Sequence, residues 1–317
     1  MGRPWCYTVS NSLCILMIKL QKYNAIFTGI ILLAGFVFLQ SCEKEITVDM
    51  PQPDQKIVVE GYIFEGERPY VILSKNAGYF EPIDSAALVN TFIYDAIVTV
   101  TDGTNTDTLT LQPAAESAYG FAYVKQAPTV IGTAGKTYDL KVIAIGQTVT
   151  STTRIIPMVP MDSTKWVEYE DYDSLGYVYV HFTDPGIDER AYRVFSRRVS
   201  ANPERNEPLF RPNFYSSNRF YKGQPIEFGI SRARQFSDQF NEDNPDPDLR
   251  SYRLGDTAQV RICTMDLPNY SFYNSLSNSD NAGNPFSAPG NVQTNIVGGL
   301  GCWGGYGVNQ FQIICYP

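Results

Sequence analysis

Residues 177–182 read Tyr-Val-Tyr-Val-His-Phe. In an extended chain Val178, Val180 and Phe182 fall on one face and Tyr177, Tyr179 and His181 on the other, because successive side chains of a strand point to opposite sides. Asp184-Pro185-Gly186 then turns the chain, and residues 191–199 (AYRVFSRRV) supply a partner strand. A period of two, a turn, and a second β-branched and aromatic run predict a half-buried β-hairpin.

The same pattern extends outward in both directions. Upstream, residues 57–63 (IVVEGYI) and 70–74 read as strands, and 96–101 (AIVTVT) runs into the hairpin pair Asp102-Gly103 before 108–111 returns. Residues 121–124, 138–145 and 148–156 complete a set of short strands separated by turn residues, with no helical period before residue 160. Downstream, 258–265, 292–297 and 308–315 read as strands, with a glycine loop at 298–307 (GGLGCWGGYG). Residues 266–278 are the one credible helix, with Asp266 as N-cap, proline in the first turn, and Phe272, Tyr273 and Leu276 on one face. The expected fold is therefore all-β. Two immunoglobulin-like β-sandwich domains, 55–158 and 159–317, meet at the bracket Pro157 and Pro160. The second carries the short helix and an irregular polar insertion, 200–256, with one short strand near 226–230 and the acidic patch 242–248. No internal repeat is visible.

Residues 1–41 carry Arg3, Lys19 and Lys22 and no acidic residue. Lys19 and Lys22 precede an apolar run at 25–39 (AIFTGIILLAGFVFL), a basic head followed by an apolar stretch of secretory-signal length. It falls short of the roughly 20 apolar residues of a membrane-spanning helix. Met17 gives the more compact head, MIKLQK, so the true start is expected there. The run ends in Leu39-Gln40-Ser41-Cys42, which resembles a bacterial lipobox, in which the signal is cut before the cysteine and its thiol is acylated. Residues 42–54 then form an acidic tether that Pro51 and Pro53 keep extended. Acidic and lysine residues directly after the lipid cysteine resemble the surface-export signal of Bacteroidota lipoproteins, which implies a chain facing the cell exterior; the alternative is a generic solvated linker on a periplasm-facing chain.

From residue 42 onward 22 Lys and Arg stand against 33 Asp and Glu, a net charge of −11, which argues against a nucleic-acid partner. The single histidine, His181, removes every site that needs two imidazoles. Of six cysteines, Cys6 and Cys14 leave with the leader and Cys42 takes the lipid. Cys263, Cys302 and Cys315 remain: Cys263 and Cys315 could meet across neighbouring strands, or all three could be small buried hydrophobes. His181 lies near Asp184, but the chain has no GxSxG elbow to supply a nucleophile. The patch 242–248 lacks the spacing of a Ca²⁺ loop, and the glycine loop is neither a Walker loop nor a dinucleotide fingerprint. With Trp303 and Tyr306 that loop reads either as a tight turn packing aromatics inward or as an exposed docking surface. The residues call for no cofactor and no metal.

Several segments in order carry a resemblance. They are the lipobox, the strand Val58-Val59-Glu60-Gly61-Tyr62-Ile63, Ile-Pro-Met-Val-Pro-Met-Asp-Ser at 156–163, His-Phe-Thr-Asp-Pro-Gly at 181–186, Asn-Pro-Phe-Ser at 284–287, and Asn-Ile-Val-Gly-Gly-Leu-Gly-Cys-Trp-Gly-Gly-Tyr at 295–306. Together they resemble the Bacteroidota outer-membrane lipoproteins that carry domain of unknown function 4249. Cys302 departs from the pattern, where an apolar residue is usual. The resemblance implies outer-membrane anchoring through Cys42 and a TonB-dependent receptor as partner, since members tend to be encoded beside such receptors. The expectation is a non-enzymatic, surface-exposed accessory protein that binds a ligand or docks on that receptor, with Trp303 and Tyr306 as candidate docking surface. The alternatives are a structural or adhesive envelope protein and a hydrolase with a carboxylate pair.

Overall fold

Residues 54–76, 89–207, 209–233, 247–280 and 291–316 are described by a computed structural model. Cys42 and almost all of the tether, most of the acidic patch, and the segment 284–287 lie outside these residues. The first half contributes β1 (Ile57–Phe64), β2 (Tyr70–Lys75), β3 (Ile97–Thr101), β4 (Thr106–Pro113), β5 (Phe121–Val124), β6 (Thr137–Ala144) and β7 (Gln147–Arg154). The second half adds β8 (Ser163–Tyr169), β9 (Tyr172–Thr183), β10 (Ala191–Val199), β11 (Arg211–Ser217), β12 (Pro225–Ile230), β13 (Tyr252–Arg253), β14 (Thr257–Met265), helix α1 (Leu267–Asp280) and β15 (Leu300–Ile314). The all-β expectation stands.

Local chemistry accounts for several of these elements. The β3–β4 hairpin turns at Asp102-Gly103, where Gly103 takes φ of 85° and the Asp102 carboxylate accepts from the backbone N–H groups of Thr104 and Asn105. β9 buries Val178, Val180 and Phe182, the face that alternation assigned to the interior. Asp266 caps α1 as expected: its Oδ1 accepts from Asn269 N–H at 3.1 Å.

Eleven strands form one sheet in the order β11-β10-β14-β15-β1-β2-β5-β4-β3-β6-β7. One core gathers the inward residues of β1 and β2 (Val59, Leu73) with those of β3, β6 and β7 (Val98, Leu140, Val149). β7 comes back towards the chain just before β15 through a bridge between Thr150 and Val297. A second core lies between β9 (Val178, Phe182) and β10–β14 (Val194, Val260). The smaller sheet that supplies β9 has the order β12-β9-β13, with β8 paired to β9.

β15 changes the expected organisation. Residues 298–307 do not form a loop; from Leu300 onward they are strand. The first part of β15 runs parallel to β1, from Val58↔Leu300 to Phe64↔Tyr306, and the rest runs antiparallel to β14. The last strand thus completes the sheet of the first half as well as that of the second, and Trp303 belongs to the first core. The break at 158 separates two cores within one compact unit, Pro53–Pro317, rather than two independent chain segments. The glycines are there for close approach: a Cβ at Gly307 would stand 2.1 Å from the Ile156 carbonyl oxygen, and one at Gly301 2.0 Å from that of Val59.

Residues 292–297 are not a strand beyond the single bridge at Val297. The region 200–256 holds β11 and β13 as well as the expected strand at 226–230; β11 escapes notice because it contains Pro212, which an edge strand tolerates.

Candidate functional site

The register of β1, β2, β15, β14 and β10 sets one face of the large sheet. Glu60 pairs with Cys302 and Ile72, Tyr62 with Tyr70, and Arg193 with Cys263. Side chains in register share a face, so residues from the first, middle and last parts of the chain line up opposite the two main cores. A third apolar cluster forms here, including Phe64, Tyr70, Phe195 and Tyr306, with Tyr270 and Tyr273 of α1 packed against it.

Helix α1 covers this face only in part. Between the helix, the sheet and residues 116–119 and 209–212 lies a cavity of about 620 Å³. Its walls are largely aromatic and aliphatic: Tyr62 and Ile72 from the sheet, Phe210 beyond its edge, and Phe272 and Leu276 from α1. Such a volume suits a small organic ligand, with apolar walls and few polar groups to fix orientation.

Three charged groups besides Glu116 line the cavity. Arg193, on central strand β10, is 6% exposed. Its Cζ lies 3.6 Å from the centre of the Tyr273 ring and 4.9 Å from that of Phe195. Its Nη1 donates to Tyr306 Oη at 3.1 Å, and its Nε has no hydrogen-bond partner. Glu60 on β1 accepts a hydrogen bond from Tyr62 Oη at 2.9 Å. Burial pushes the Glu60 carboxyl above the ordinary carboxylate range, against the Tyr62 hydrogen bond and the charges of Arg193 and Arg211, which pull it down. Arg211, at the start of β11, is the third. Glu116 also lines the cavity, but Arg68 pairs with it at 2.9 Å.

The residues singled out by sequence fall elsewhere or play other parts. Trp303 and Tyr306 are fully buried, so they are no docking surface. The Trp303 indole donates to the Tyr138 carbonyl at 3.1 Å inside the first core. Tyr306 stacks on Phe64 with ring centres 4.9 Å apart and forms the floor beneath Arg193. Both reach the interior because the glycines of β15 let it lie close against its neighbours. Cys263, Cys302 and Cys315 are free and buried. Burial pushes the Cys263 and Cys315 thiols up to about 12 and raises Cys302 as well, away from the thiolate a nucleophile needs. His181 sits half-buried on the outer face of β9, 3.5 Å from Asp162 and 3.9 Å from Glu227. Asp184 is buried and occupied by donors from Tyr192, Asn218, Gly186 and Gly223. Among the described residues no group of three His, Cys, Asp or Glu side chains is placed to hold a metal ion.

Sequence reasoning missed Glu60, Arg193 and Arg211. The available signal was charge inside the alternation: Glu60 two residues before Tyr62, and Arg193 two before Phe195, on strands that are otherwise interior.

The sequence model of the family described as "Domain of unknown function (DUF4249)" matches residues 43–312. No curated protein matches the chain.

Proposed function

The chain belongs to the DUF4249 family, and we propose that it serves there as a lipid-anchored, non-enzymatic binding protein of the outer membrane that holds a small organic ligand between α1 and the large sheet. One observation carries the reading: a cavity of about 620 Å³, walled by aromatics from four separated parts of the chain, with a buried arginine on its floor.

Anchoring rests on Leu39-Gln40-Ser41-Cys42 and the tether after it. Two or more acyl chains hold a protein stably, at about 0.8 kcal/mol per buried CH₂. A tethered binder near a membrane transporter raises the local concentration of what it captures. The family resemblance suggests a TonB-dependent receptor as recipient. With Trp303 and Tyr306 buried, that handover needs a surface other than the one the sequence pointed to.

The binding claim is tested with the neutral fluorophore N-phenyl-1-naphthylamine, using the folded chain from Cys42 onward with Cys42→Ala. One saturable site is expected, weakened at least tenfold by Leu276→Trp, which fills the cavity from the helix side. Absence of saturable binding, or binding indifferent to Leu276→Trp, overturns it. Anchoring is tested separately: Cys42→Ala should move the protein from the membrane fraction to the soluble fraction.

A further inference from the structure

The floor of the cavity holds a guanidinium that no described carboxylate pairs with. Arg193 lies on a central strand, flanked by β11 and β14. Its guanidinium is met by two ring faces and one tyrosine hydroxyl, and no described carboxylate forms an ion pair with it. Removing an ion from water carries a penalty that an ion pair normally offsets. Ring faces return only part of it. A neutral side chain would pack this position at lower cost if the strand served stability alone.

The neighbouring groups do not close the deficit. Glu60 faces the same cavity and accepts from Tyr62, but it forms no ion pair with Arg193. Glu116 is taken by Arg68. In a chain whose net charge is −8, the cavity therefore presents a buried guanidinium between aromatic sides. Tyr306 and Tyr273 hold the guanidinium from below and from the helix side.

We infer that the ligand is a small molecule with an aromatic or apolar body and one carboxylate, the carboxylate seated on Arg193 and the body lying between Tyr62, Phe195 and Phe272. The inference rests on the ligand-binding reading above and adds the chemical class. A guanidinium suits a carboxylate because its N–H groups form a planar fork matched to the two oxygens. Arg193 is a positioning group for the bound molecule, with no chemical step attached.

The test is displacement of N-phenyl-1-naphthylamine by a matched pair, 1-naphthylacetate and 1-naphthylacetamide, which share the ring system and differ in charge. The wild-type protein should release the fluorophore at roughly tenfold lower carboxylate than amide concentration, the ratio that a charge-assisted hydrogen bond of about 1.4 kcal/mol supplies. In Arg193→Gln the ratio should fall to within about twofold, and Arg193→Lys should restore part of it. Equal displacement by the two compounds in wild type, no displacement by the carboxylate, or a preference that survives Arg193→Gln overturns the inference. Fluorophore binding that persists in those cases leaves the cavity reading standing; a wild type that binds no fluorophore removes both. If Arg193→Gln does not fold, the wild-type ratio and Arg193→Lys still decide.

Discussion

The guanidinium of Arg193 lies over the ring of Tyr273, its Cζ 3.6 Å from the ring centre, and this contact fastens helix α1 to the sheet beside the cavity. Tyr273 also meets Tyr306 through their hydroxyls at 3.2 Å, and Tyr215 Oη donates to its carbonyl at 3.1 Å. Tyr273→Leu keeps an apolar side chain there but removes the ring face and the hydroxyl. It should lower unfolding free energy by about 2 kcal/mol, the value of a desolvated cation–π contact. Urea denaturation followed by circular dichroism measures this; a loss below ~0.5 kcal/mol would show that the stacking is incidental.

Trp303 and Gly61 form a second obligatory pair. A Cβ on Gly61 would stand 2.6 Å from the indole Cε3, so the glycine on β1 makes room for the indole on β15. Gly61→Ala should therefore cost about 1–3 kcal/mol by overpacking. Trp303→Ala should cost about 3–5 kcal/mol through the void it leaves. Denaturation midpoints of both variants check this. A Trp303→Ala protein of wild-type stability would return the indole to the surface role that the sequence suggested.

Asp107 is a buried carboxylate that accepts from Lys125 and from the backbone N–H groups of Thr129 and Val130. Burial alone would raise its pKa, but Lys125 and those hydrogen bonds overcome it and hold the group at about 2, against an ordinary 3.8. A group depressed on folding contributes stability above its unfolded pKa and loses it as pH falls through the folded value. Asp107→Asn should thus cost about 2 kcal/mol near neutrality. Its difference from wild type should shrink between about pH 4 and pH 2. A difference that stays constant down to pH 2 contradicts the assignment.

The three cysteines make a simpler forecast. All are free and buried, with thiols pushed towards the protonated form. In the Cys42→Ala chain, a thiol-titrating disulfide reagent should find no reactive thiol under native conditions. It should find all three after denaturation without reductant. Fewer in the denatured protein would show a disulfide.

How much was readable beforehand depended on whether the information was local. The face of β9 follows from alternation within six residues, and the start of α1 from Asp266 and the proline after it. β15 misled because its glycines imitate a turn; their cause is the close approach of Val59 and Ile156, which are distant in sequence. β11 was hidden by Pro212, whose acceptability depends on the strand being an edge. The cavity had least local signature of all. Glu60, Arg193 and Tyr273 meet only because the last strand lies parallel to the first and antiparallel to β14.

A crystal structure of the Cys42→Ala chain with 1-naphthylacetate bound tests the central claim most directly. The account predicts the carboxylate within hydrogen-bond distance of the Arg193 guanidinium, with the rings between the sheet and α1. An empty cavity with the compound elsewhere, or a compound inside it whose carboxylate points away from Arg193, would contradict the account.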